Sequence, residues 1–170
     1  MLFGTDSVFR VEIDEITYRD GWVFGTFVFH IAGQRVGDAD DLVDLRGCNH
    51  WIRRFLAKPP LLVHDEWANL PAPEFFRQVY DPTMAGTFPG SDPTDDAFQR
   101  YSITHLGMST FDRYDLLYVE REPGPSTIMW REGNSTPCEA SVIATYFRAT
   151  LRDVQVWLQA QIDLAPRDLR

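Results

Sequence analysis

Four histidines and two cysteines supply most of the nucleophilic and metal-ligating chemistry this chain could perform. His64-Asp65-Glu66-Trp67 is the most enzyme-like run. A histidine beside carboxylates suits a general base, and the same atoms suit a metal ligand set. Neighbouring residues on a strand point to opposite faces, however, and no second histidine follows four positions later. The run therefore reads first as a solvated turn, with a small hydrolase using His64, Asp65 or Glu66 as the alternative. Cys48-Asn49-His50 brings a thiol near a base. On a helix those side chains sit about 200° apart, and Cys48 falls on an apolar stripe, where cysteine acts as a small hydrophobe. His30 and His105 have no partner at ligand spacing. Gly21-Trp22-Val23-Phe24-Gly25 lacks both the lysine and the spacing of a phosphate-binding loop, so its glycines read as turn and close-packing residues. No catalytic residue, metal or cofactor is assigned from these patterns.

Charge offers more. The chain has 170 residues and a net charge of −9. The first fifty positions hold nine acids against four bases. Asp38, Asp40, Asp41 and Asp44 are the densest group, and Asp92, Asp95 and Asp96 form a second, in an acidic loop. Carboxylates belong at a helix start, where they cap N–H groups and oppose the dipole. Four exceed what one helix end needs, so the same groups are candidate contacts for a positively charged partner. Sixteen basic residues scattered among 25 acids form no patch for nucleic acid. No apolar run approaches the roughly 20 residues of a membrane helix. Two distant cysteines suit a reducing compartment, and the expected location is cytoplasmic.

These residues need a scaffold. Positions 8–16 alternate, with Phe9, Val11 and Ile13 on the apolar side, as a half-buried strand does. Tyr18-Arg19-Asp20-Gly21 marks a turn. Trp22 to Ile31 is almost continuously apolar, aromatic and β-branched, and reads as a central strand carrying Trp22, Phe24, Phe27 and Phe29 as core candidates. Gly33 turns the chain into a return strand at Arg35 and Val36. Asp40 or Asp41 then caps a helix with apolar residues at Leu42, Leu45, Cys48 or Asn49, Ile52, Phe55 and Leu56, ended by Lys58-Pro59-Pro60. A short strand is possible at Leu61 to Val63. Five prolines and two glycines predict an otherwise irregular loop over about 61–99. Strands follow at Arg100 to Leu106, Leu116 to Glu122, Thr127 to Glu132 and Glu139 to Ala144, and Tyr146 to Ile162 has helical spacing. The sum is a single α+β domain over 1–170: a mainly antiparallel sheet with two principal helices packed on one face.

The N-terminal third resembles the immunity protein 42 family of bacterial polymorphic-toxin and contact-dependent inhibition systems. The resemblance rests on Met1-Leu2-Phe3-Gly4, Phe9-Arg10-Val11-Glu12-Ile13 and Gly21-Trp22-Val23-Phe24-Gly25-Thr26-Phe27. Ile31-Ala32-Gly33, Val36-Gly37-Asp38, Leu45 and the helix through Trp51 continue it. Met129-Trp130-Arg131 and the closing helix match more loosely. It implies a non-enzymatic antidote that binds the toxic C-terminal domain of a cognate toxin and blocks it. The acidic surface suits a basic, nuclease-like toxin. A scaffold or homo-oligomeric module using its aromatic residues is the remaining alternative.

Overall fold

The structure is a computed structural model that describes residues 1–5, 7–57, 67, 69–85, 109–120 and 124–165. The first sheet is built on a long antiparallel hairpin, β2 (Phe9–Arg19) and β3 (Trp22–Ile31). β1 (Leu2–Phe3) flanks β2, while β4 (Gln34–Val36) and β5 (Val43–Asp44) pair with different parts of β3. Both turns of the β2–β3–β4 meander are two-residue loops with positive φ at each position: Asp20 (49°) and Gly21 (75°), then Ala32 (48°) and Gly33 (79°). That is the geometry whose twist matches the flanking strands. The pairing shifts register between Asp14 and Thr17, where Glu15 takes a φ of 51°. Gly25 lies opposite this bulge because a β-carbon there would come within 2.8 Å of the Asp14 carbonyl oxygen.

The second sheet is β6 (Tyr114–Val119), β7 (Ser126–Glu132) and β8 (Cys138–Val142), antiparallel throughout. Two helices share the main core with both sheets: α1 (Leu45–Ala57) and the closing helix α3 (Ala144–Leu164). Phe147 of α3 is the hinge of this core. Its ring lies 4.5 Å from Phe9 of the first sheet and stacks at 4.3 Å on Tyr118 of the second. Phe55 of α1 packs edge-on to both Phe147 and Tyr118. The α+β class and the hairpin order follow the sequence reading.

Four expectations change. First, the predicted 61–99 loop contains a helix, α2, running through Ala72–Phe75, a wide π turn at Phe76–Tyr80, and Asp81–Met84. Proline read as a breaker, but Pro73 and Pro82 occupy first-turn positions of their segments, where a missing N–H costs little. The π turn before Pro82 carries a bond from the Asp81 N–H to the Phe76 carbonyl. Widening the helix there relieves the clash a proline ring makes with the preceding turn. Second, α2 is a third helix covering the opposite face of the second sheet, through Phe75, Phe76, Val79 and Tyr80 against Leu117, Val119 and Met129. The second sheet is buried on both sides. Third, α1 begins at Leu45, not after Asp40 or Asp41. Val43 and Asp44 stay extended because they pair with Gly25 and Phe24, and Asp44 Oδ1 then accepts the Arg46 N–H at 3.0 Å. Fourth, Trp22 and Phe24 are not core residues. Strand alternation puts them on the face opposite Phe27 and Phe29, leaving Trp22 47% exposed. The expected strands at Leu61 to Val63 and Arg100 to Leu106 lie outside the described residues.

Candidate functional site

The connector from Gly37 to Asp44 holds all four acids of the first cluster and crosses the edge of β3 between β4 and β5. Its shape is set by Thr110, which is buried on a short helical turn at Ser109–Phe111. The Asp38 N–H donates to the Thr110 carbonyl at 2.8 Å and to its Oγ1 at 2.9 Å. The Thr110 hydroxyl lies 3.2 Å from the Phe27 carbonyl and 2.9 Å from that of Asp38. One side chain thus satisfies backbone groups that neither β4 nor β5 reaches.

Three of the four acids have a distinct local role. Asp38 Oδ1 accepts the Asp40 N–H at 3.0 Å, Asp41 accepts the Ser109 hydroxyl, and Asp44 caps α1. Arg46 lies 3.7 Å from Asp44. Asp40 is exposed, and among the described residues no salt bridge neutralises Asp38, Asp40 or Asp41. The connector therefore keeps its negative charge. Asp92, Asp95 and Asp96 lie outside the described residues, as do His64, Asp65, Glu66 and His105.

Three residues beside the acids escaped the sequence reading as surface groups. Trp22 carries the Arg46 guanidinium 3.8 Å above its ring and stacks loosely on Phe24 at 6.4 Å. Leu42, expected on the buried stripe of α1, precedes β5 and is 47% exposed. The signal for Trp22 and Phe24 was the two-residue period of β3 itself: positions 22 and 24 cannot share a face with 27 and 29.

Several other titratable groups serve the fold. Cys48 is buried and its thiol donates to the Asp44 carbonyl at 3.5 Å. Burial, with the Asp44 charge, pushes its pKa well above the ordinary value, so the thiol stays neutral, while His50 is exposed. His30 bonds Glu12 across the β2–β3 pair at 2.6 Å. Arg131 grips Asp81 through both terminal nitrogens and Asp115 through Nε, and Tyr80 donates to Asp115 at 2.6 Å. Burial lowers the Arg131 pKa, but those hydrogen bonds outweigh it and hold the group above its ordinary value. Arg148 and the buried Glu120 form a second pair at 2.9 Å. Beside it, burial pushes the Tyr118 phenol up to about 12. Among the described residues no group of three or more His, Cys, Asp or Glu is arranged to hold a metal ion. No helix among them is long and apolar enough to cross a membrane.

Most of the chain has a solved structural counterpart. The crystal structure of CdiI from Burkholderia dolosa AUO158 matches with a TM-score of 0.72, covering 92% of this chain and 99% of that one, at 13% identity. At that identity the likeness establishes the fold. A search of curated proteins gives no significant match. At the level of sequence, the model of immunity protein 42 matches residues 1–157, from β1 through most of α3, and the chain accordingly belongs to the immunity protein 42 family.

Proposed function

We propose that this immunity protein neutralises a cognate toxin domain by holding it in a one-to-one complex, with no chemistry of its own. The observation that carries the reading is the family match over residues 1–157. Family membership favours this role over the hydrolase and scaffold alternatives. The hydrolase alternative rested on His64, Asp65 and Glu66, and the other nucleophile candidate, Cys48, is a neutral core thiol.

The partner we infer is the toxic C-terminal domain of a protein encoded nearby, of basic, nuclease-like character, met in the cytoplasm. A net charge of −9, concentrated toward the N-terminal sheet, supports a basic partner through faster encounter. Asp38, Asp40, Asp41 and Asp44 are our proposed contacts, with Asp92, Asp95 and Asp96 as a second acidic group. A complex of ordinary size would bury roughly 1,200–2,000 Å² in total.

Co-expression tests the reading. Cells making the toxic domain should die alone and grow when this chain is present, and the two proteins should co-purify. Continued killing with both proteins well expressed, and no complex, would sink it.

A further inference from the structure

We infer that the exposed end of the first sheet's outer face, at Trp22 and Leu42 and short of the buried Thr26 and Val28, is the surface that seats the basic toxin partner. This rests on the proposed immunity function and names where the partner binds.

Three observations converge. Trp22 and Leu42 are each 47% exposed, large and apolar, and Phe24 lies half-buried on the same face as Trp22. Phe24 pairs with Asp44, so β5 extends that face, and the exposed Leu42 lies two residues before Asp44. Trp22 is held in place before any partner arrives. The Asp20-Gly21 turn fixes its backbone and the Arg46 guanidinium lies over its ring. Rigid tryptophan and arginine side chains are the types that dominate binding energy at interfaces, because they bury much area while losing little freedom.

Charge selects the occupant. The nearby bases are matched locally, Arg19 by Asp20 at 3.6 Å and Arg46 by Asp44 at 3.7 Å. Asp14, Glu15 and Asp40 are exposed, and among the described residues none has a salt-bridge partner. Asp14 pairs with Thr26, and Glu15, exposed, follows it in the bulge. An apolar centre with an uncompensated acidic rim fits a positively charged protein surface. A second copy of this chain would bring like charge against like.

The test uses the full chain and the toxic domain encoded beside its gene, separated from the complex and refolded. Calorimetry should give dissociation constants about 10- to 100-fold weaker for Trp22→Ala and for Leu42→Ala than for wild type. Leu42 lies outside both the helix and the strand pairings, so its variant reports binding even if Trp22→Ala lowers stability. Val156→Ala, exposed on α3, should bind as wild type. If wild type itself fails to bind, the immunity reading fails and this surface with it. Wild-type binding combined with unchanged affinity in both variants overturns the surface alone. An equal loss in Val156→Ala, or a Trp22-dependent dimer in sedimentation, overturns it as well.

Discussion

Replacing Arg131 with methionine should loosen α2 from the second sheet while leaving the first sheet intact. Arg131 and Asp115 are direct cross-strand partners on β7 and β6, and the guanidinium reaches beyond Asp115 to Asp81 on α2. It also lies 4.5 Å over the Phe76 ring. At the other end of α2, the Ala72 N–H is held by Glu139 of β8 at 2.6 Å. The helix is thus tied at both ends by charged groups of the sheet it covers. A hydrogen bond to a charged group contributes about 1.5–3 kcal/mol when shielded. Asp81 is 46% exposed, so its two bonds are screened by solvent and together contribute at most about 1 kcal/mol. Asp115, at 29% exposure and also accepting from Tyr80, supplies the larger share. Methionine keeps the apolar stem. The net loss is about 2–3 kcal/mol, or roughly 5–10 °C in melting temperature for a chain of this size. Hydrogen exchange gives the sharper readout. Amides of α2 should exchange about 30-fold faster or more, and those of β2 and β3 unchanged relative to global stability. A stability change below about 0.5 kcal/mol, or unaltered protection in α2, would refute the clasp.

Two further perturbations test the fold. Ala32 sits at φ 48° in the second tight turn, so Ala32→Gly should stabilise by about 0.5–1 kcal/mol in denaturant melts; a destabilised variant would contradict the turn geometry. Cys48 should resist thiol reagents in the native protein while the half-buried Cys138 reacts, both reacting after denaturation. The raised pKa of Cys48 also has a pH consequence. Its contribution is complete below the ordinary value of 9.0 and is lost as pH rises above it, where only the unfolded chain ionises. Between about pH 9 and 10 the loss should approach, but not exceed, about 1.4 kcal/mol per pH unit, and Cys48→Ala should flatten the slope.

Local periodicity made much of this molecule legible. Phe9, Val11 and Ile13 announced β2, and Phe147, Leu151, Val154 and Leu158 announced α3, because each pattern lies within one element and faces one core. The Asp20-Gly21 turn was readable for the same reason. Alternation also held the answer for Trp22 and Phe24, but a continuously apolar run hides which parity faces the core. α2 stayed hidden because its prolines read as breakers, and only the π turn and the sheet beneath it make Pro82 compatible with a helix. The start of α1 depended on Val43 and Asp44 pairing with a strand some twenty positions earlier, and the connector's shape depended on Thr110 about seventy positions later. Neither contact leaves a local mark. The acids were visible as composition, whereas their arrangement around Trp22 and Leu42 required the sheet.

A titration measures the central claim most directly. The isolated toxic domain is titrated with this chain by calorimetry while the domain's toxicity is assayed at each point. Stoichiometric occlusion predicts that heat and toxicity both reach their end point at one equivalent. Full neutralisation by a small fraction of an equivalent would mean catalytic inactivation, and toxicity persisting in excess chain without heat would mean no complex at all.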